Sequence, residues 1–164
     1  MNASSTTERP ISRNVFIVHG HDSLLRAQVE NFLRKLNLTP IILSNQVNEG
    51  KTVIEKFETH AEKTSYAIIL LTADDIAHAK NKPDEIKTRG RQNVILELGY
   101  FWGKLGRKNV CILYDDGVEM PSDLHGFVYI PTNNTDTWEK NLAQEISNSG
   151  MYVDFNKLYK AETA

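Results

Sequence analysis

A doubly wound α/β fold is expected for this chain: one five-stranded parallel sheet with helices on both faces and strand order 2-1-3-4-5. Three observations predict it. Short, β-branched apolar runs alternate with longer segments whose apolar residues recur at helical spacing. The third run, Tyr66–Leu71 (YAIILL), is apolar at every position, as a central strand covered on both faces requires. Capping and turn residues stand between the runs, among them Gly20, Asp22, Asn37 and Gly106. Parallel strands joined by right-handed crossovers follow, an arrangement of flavodoxin-like type.

Each element has its own local reason. Residues 15–18 form a β-branched run closed by Gly20, the first strand. Residues 23–36 carry Leu25, Val29, Phe32, Leu33 and Leu36 on one helical face, with Asp22 as N-cap and Asn37 at the end. Residues 40–43 are the second strand and 44–51 a polar loop. Residues 52–63 read as a helix with Val53, Ile54, Phe57 and Ala61 inward. After the central strand, 72–90 is a long polar segment with room for one short helix. Residues 93–105 form a helix stopped by Gly106; 110–114 and 127–130 are the last strands, and 138–147 the last helix. Residues 1–13 are polar and aperiodic, a flexible arm before a domain over 14–155. A tail over 156–164 is expected to fray, with Tyr152, Phe155 and Leu158 able to pack back.

With 164 residues the chain has the size of one domain. A net charge of −2 supplies no basic field, so a nucleic-acid duplex is not an expected partner. The single cysteine, Cys111, sits inside an apolar strand and cannot form an internal disulfide, which fits a reducing compartment. No stretch is long and apolar enough for a membrane span, and the N-terminus lacks a signal-peptide layout. A cytoplasmic location is expected.

Sheets of this type bind ligands beyond the carboxyl ends of their strands. Four segments fall there: 20–22, 44–51, 72–91 and 115–123. Beside them, the helix NVILELGYFWGKL holds one carboxylate, Glu97, among apolar neighbours, on a face with Asn93, Val94, Tyr100 and Phe101. Dehydration there raises a carboxylate's pKa and is a pattern of functional acids. The bland alternative has Glu97 capping backbone groups or paired with a base such as Arg91. His19, Gly20, His21 and Asp22 form the first strand-to-helix turn, where a glycine lets backbone approach a ligand. Two histidines without a third ligand read as a turn rather than a zinc site. Asn48–Thr52 (NEGKT) ends like a phosphate-binding P-loop but has Asn45 where that motif needs glycine. A Walker-type ATPase is rejected, while Gly50 and Lys51 remain phosphate-contact candidates. Asp74 and Asp75 could hold a ribose or a cation, or cap the next turn. Asp115, Asp116 and Gly117 form a turn, and Asp123 is a second site acid or a loop acid.

Six segments, FIVHGHD, NEGKT, EKFE, AIILLTADD, RQNVILELGYFWGKLGR and PSDLHG, together resemble the bacterial TIR-like effectors of cyclic-nucleotide-triggered antiphage systems. The resemblance runs from about residue 14 to about residue 150. It implies a TIR fold and an NAD glycohydrolase, with NAD as substrate and no resident cofactor or metal. It places the catalytic carboxylate on Glu97 and a second acidic site residue on Asp123. It makes 16–22 the pocket border and 44–51 the mobile loop that gates the pocket and mediates contacts between TIR domains. His19, Gly20, His21, Asp22, Gly50, Lys51, Asp74, Arg91 and Asn93 are then the substrate-binding candidates. Many TIR enzymes carry tryptophan four residues before the glutamate; Asn93 stands there in this chain. Self-association and a sensor outside this chain are the implied partners. Two other readings compete: a deoxyribosyltransferase-like enzyme on a similar sheet, and a non-catalytic TIR scaffold.

Overall fold

The computed structural model describes residues 11–46, 49–124 and 126–158. Seven strands and four α-helices follow one another among these residues. β1 (Asn14–Val18), α1 (Ser23–Lys35), β2 (Thr39–Ile41), α2 (Val53–Ala61) and β3 (Tyr66–Leu71) make the first half. β4 (Asp75–Ala77), β5 (Lys87–Arg89), α3 (Gln92–Leu105), β6 (Val110–Tyr114), β7 (Val128–Pro131) and α4 (Thr135–Asn148) complete it. The main sheet has the order β2-β1-β3-β6-β7, and every pairing in it is parallel. This is the expected 2-1-3-4-5 order counted over the five strands of that sheet.

Burial explains the order. All six side chains of β3 are buried, so β3 belongs between two other strands and under helices on both faces. At about 1.5–3 kcal/mol for each large apolar side chain removed from water, the strand is a main source of the fold's stability. The two faces carry separate cores. On one, α1 and α4 cover Val15, Ile17, Ile68 and Leu70, with Trp138 fully buried and its ring 5.6 Å edge-on from Phe32. On the other, α2 and α3 cover Phe16, Val18, Ile69 and Ile112, and Phe57 and Phe101 pack on Phe16. The connections from β1 and from β3 leave in opposite directions, so a cleft opens beyond their carboxyl ends.

The local signals account for most helix ends. The Asp22 side chain accepts the Leu25 amide at 2.8 Å, and Asn37 takes a positive φ of 58° just after α1. Thr52 and Glu55 form a reciprocal capping box at the start of α2. The lysine and threonine that look like a P-loop ending therefore begin a helix.

Three expectations need correction. Residues 72–90 hold an antiparallel hairpin of β4 and β5 rather than a short helix. Its backbone docks on the segment after β6, where the Glu119 amide donates to the Thr88 carbonyl at 2.7 Å. Three-residue strands of mixed polarity leave no periodic signal, so tertiary pairing decides here. Val53 and Ile54 do not face the core: they are 77% and 64% exposed, and Lys56, Phe57 and Ala61 are the buried residues of α2. The loop 44–51 begins inside a 3-10 turn, Leu43–Asn45. Of the expected arm, residues 1–10 lie outside the described residues; Ser12 and Arg13 are held, Arg13 donating to the carbonyls of Leu36, Asn37 and Tyr152. Near the other end Phe155 and Leu158 pack on the α1–α4 core while Tyr152 is exposed, and 159–164 lie outside the described residues. No helix among the described residues is long and apolar enough to cross a membrane.

Gly20 is required by a close approach, since a Cβ there would overlap the Asp74 carboxylate. That carboxylate accepts from Thr72 Oγ1 at 2.8 Å and from the His21 amide at 3.2 Å, latching the β1–α1 turn to the end of β3. Gly20→Ala is expected to displace Asp74 and cost about 1–3 kcal/mol in urea unfolding. In the Asp74→Ala background the same substitution should cost much less; additive losses would show that the latch is not the cause.

Candidate active site

Glu97 stands on the second turn of α3, and its neighbours Val94, Leu98 and Phe101 anchor that helix to the sheet. Its side chain is partly buried and forms no hydrogen bond or ion pair with any of the described residues. Burial alone pushes its pKa up to about 7. Two cavities meet at this carboxylate. One, of about 310 Å³, lies at the strand ends and is lined by Phe16, His19, Ser44 and Lys56. The other, of about 380 Å³, is a mainly apolar groove between α2 and α3 lined by Val53, Ile54, Phe57, Asn93, Leu96 and Tyr100. Both volumes are of the size small-molecule sites occupy.

The bland alternatives for Glu97 are not realised. It caps no backbone group among the described residues, and Arg91 is engaged elsewhere: its Nη2 lies 3.2 Å from His21 Nδ1, and its Nε lies 3.7 Å from Asp75. The guanidinium can only donate, so His21 Nδ1 accepts, which corresponds to the neutral ring protonated on Nε2. His19 instead directs Nδ1 at the Gly20 carbonyl, 2.9 Å away, and presents its ring to the cavity.

The structure thus brings His19, Asn93 and Glu97 together. Gly20, His21 and Asp22 stand at the rim as the turn itself, with Asp22 used as a cap and Gly20 used to admit Asp74. The paired acids divide: Asp74 locks the turn and Asp75 approaches Arg91. Gly50 and Lys51 are exposed, and the Lys51 ammonium lies 3.5 Å from Glu49 and from Thr59. Asp123 is exposed and lines neither cavity. Among the described residues no three His, Cys, Asp or Glu side chains could hold a metal ion. Lys56 was not foreseen: it is 8% exposed and lines the cavity with Glu97. A lysine inside an amphipathic helix reads as a solvent-facing residue, and no spacing signal marks one whose stem is buried.

The sheet order, the helices on both faces and a site beyond the strand ends agree with a TIR fold, and a match to a TIR-domain family makes this chain a TIR domain. More narrowly, the chain belongs to the TIR-domain family of CAP12/Pycsar effector proteins, whose family profile matches residues 14–134. It is 41% identical over 153 residues to the uncharacterized protein YuaY of Escherichia coli K12, covering 93% of this chain and 51% of that one. It is 37% identical over 125 residues to protein tirC of Dictyostelium discoideum, covering 71% of this chain and 62% of that one. A Pycsar effector protein of Burkholderia cepacia, BcPycTIR, is 31% identical over 80 residues, covering 48% of this chain and 25% of the effector. The chain therefore spans only part of the length of these relatives.

The raised pKa of Glu97 has a sign. The native state holds this proton more tightly than the unfolded chain, whose value is near 4.5. The associated stability is complete below about pH 4.5 and is lost as pH rises through about 7. Glu97→Gln cannot ionise and escapes that loss. After a discount for partial exposure, it should be more stable than wild type by about 1–2 kcal/mol at pH 8 and equal near pH 4. Thermal unfolding at the two pH values checks this; a variant less stable at pH 8 would mean that the carboxylate holds a partner.

Proposed function

We propose that this chain cleaves the bond between nicotinamide and ribose in NAD, with Glu97 as the carboxylate that carries the chemistry. One observation supports it above the others: a partly buried carboxylate with no partner among the described residues, at the junction of two cavities. Membership of the CAP12/Pycsar effector TIR family agrees, and effector action in antiphage defence is part of the proposal.

Nicotinamide leaves a positively charged pyridinium as a neutral base, so the leaving group needs no proton. The difficulty is the oxocarbenium-like ribose that remains. A carboxylate fixed beside that ring stabilises the charge where it develops, and works best in a site of low dielectric. It can also hold the ribose hydroxyls, or trap the sugar briefly as an ester that water then hydrolyses. His19 and Asn93 supply polar contacts beside it. The exposed apolar rim of Val53, Ile54 and Leu96, 77%, 64% and 69% exposed, favours a protein contact at the mouth and supports activation by self-association. A sensor for the triggering signal, in a further domain or a partner protein, and cytoplasmic action on free NAD complete the proposal.

Release of fluorescent product from etheno-NAD at high protein concentration tests the reading. Glu97→Gln is expected to lower turnover ~100-fold or more; near-wild-type turnover would remove Glu97 from the chemistry. Because the working form is ionised and its pKa lies near 7, wild-type turnover should rise roughly tenfold from pH 6 to pH 8. A flat profile over that range would mean that ionisation of Glu97 does not control the rate.

A further inference from the structure

A third cavity, of about 390 Å³, opens in front of α3 and is lined by Asp75, Arg89, Arg91, Gln92 and Asn93 together with Ile76. Two guanidinium groups face one carboxylate there, so the cavity carries a net positive charge. Arg91 Nε is buried without a hydrogen-bond partner; Asp75 at 3.7 Å balances charge but is too distant to accept its proton. That nitrogen is closed to a ligand as it is to water, so Arg91 meets an anion through the exposed part of a side chain that is 42% open. Arg89 reaches the same cavity from β5, and no side-chain hydrogen bond or ion pair to another described residue engages it. The α3 amides that open beside them have no side-chain acceptor. Asn93 lines this cavity and also the groove that ends at Glu97, one helical turn away, so the two spaces share a wall.

We infer that this cavity is an anion site for the diphosphate of the substrate, held by Arg89 and Arg91, and that the enzyme thereby selects ribosyl diphosphates over the bare riboside. The inference rests on the NAD-cleaving role proposed above. With the ribose at Glu97, the 5′ side of the sugar extends past Asn93 toward the two guanidiniums, whose planar forks suit phosphate oxygens. Asp75 orients Arg91, and the pyridinium end is directed away from the cationic cavity.

Arg89→Gln is the cleanest probe, since it removes a charge without touching the Arg91–His21 and Arg91–Asp75 contacts. Kinetics with NAD and with nicotinamide riboside are compared with the full chain. KM for NAD should rise roughly tenfold or more with kcat little changed, while the riboside, a poor substrate from the outset, should be handled as by wild type. Arg89→Lys should recover only part of the loss. Equal losses on both substrates, or no loss on NAD, would overturn the inference. A calorimetric titration with ADP-ribose reads the site without catalysis. Should wild type cleave neither substrate, the Glu97 reading falls, and this titration alone decides the anion site. Weaker, less salt-dependent binding by Arg89→Gln supports it; unchanged binding, or none to wild type, overturns it.

Discussion

Holding a carboxylate partly out of water with no hydrogen bond or ion pair to it among the described residues is costly, and the arrangement around Glu97 has to carry that cost. The helix that bears it is anchored by Val94, Leu98 and Phe101, which bury themselves against β1, β3 and β6. Those contacts stabilise α3 by several times the penalty on one partly hydrated acid, so the helix tolerates Glu97 where an isolated helix would turn it to solvent. The same burial sets the chemistry. A carboxylate whose pKa stands near 7 is poised to change charge at neutral pH, and a cationic ribose near it feels a field that water would have screened.

The basic group at the start of α3 is kept from neutralising that acid. Arg91 is drawn back to the β1–α1 turn by His21 and to the hairpin by Asp75. The turn is itself held by Asp74, which fits only because residue 20 has no side chain. The hairpin is held by its backbone bond to the segment after β6 and by the Lys87–Glu119 pair, 3.0 Å apart at the surface. That exposed pair adds little by itself; the backbone pairing is what places β5. A chain of short-range contacts thus runs from β1 through the hairpin to the start of α3. Its consequence is a separation of charge, with cations in front of the helix and an unpaired anion one turn inside it.

Much of this was legible in the residues. Period and composition were enough for the strand order, because a fully apolar β3 has only one place in such a sheet and the helical stripes of α1 and α4 need a face to cover. Glu97 stood out because a lone acid in an apolar helix breaks the pattern that surrounds it. The hairpin was not legible: β4 and β5 are three residues each, and the bridge that docks Thr88 on Val118 joins residues thirty apart in the chain. The orientation of α2 was missed as well, because Val53 and Ile54 look like core residues and instead line an open groove, while Lys56 buries its stem.

Local chemistry therefore determined the five strands of the main sheet and the four α-helices, where α1 and α2 begin, and which acid is out of place, since each depends mainly on neighbours along the chain. Tertiary structure alone decided that Arg91 turns away from Glu97, that Asp74 is a latch, and that Asn93 separates an apolar groove from a cationic cavity. These depend on distances between residues far apart in sequence. Such distances are set by packing on the two faces of the sheet, and no periodicity in the chain encodes them.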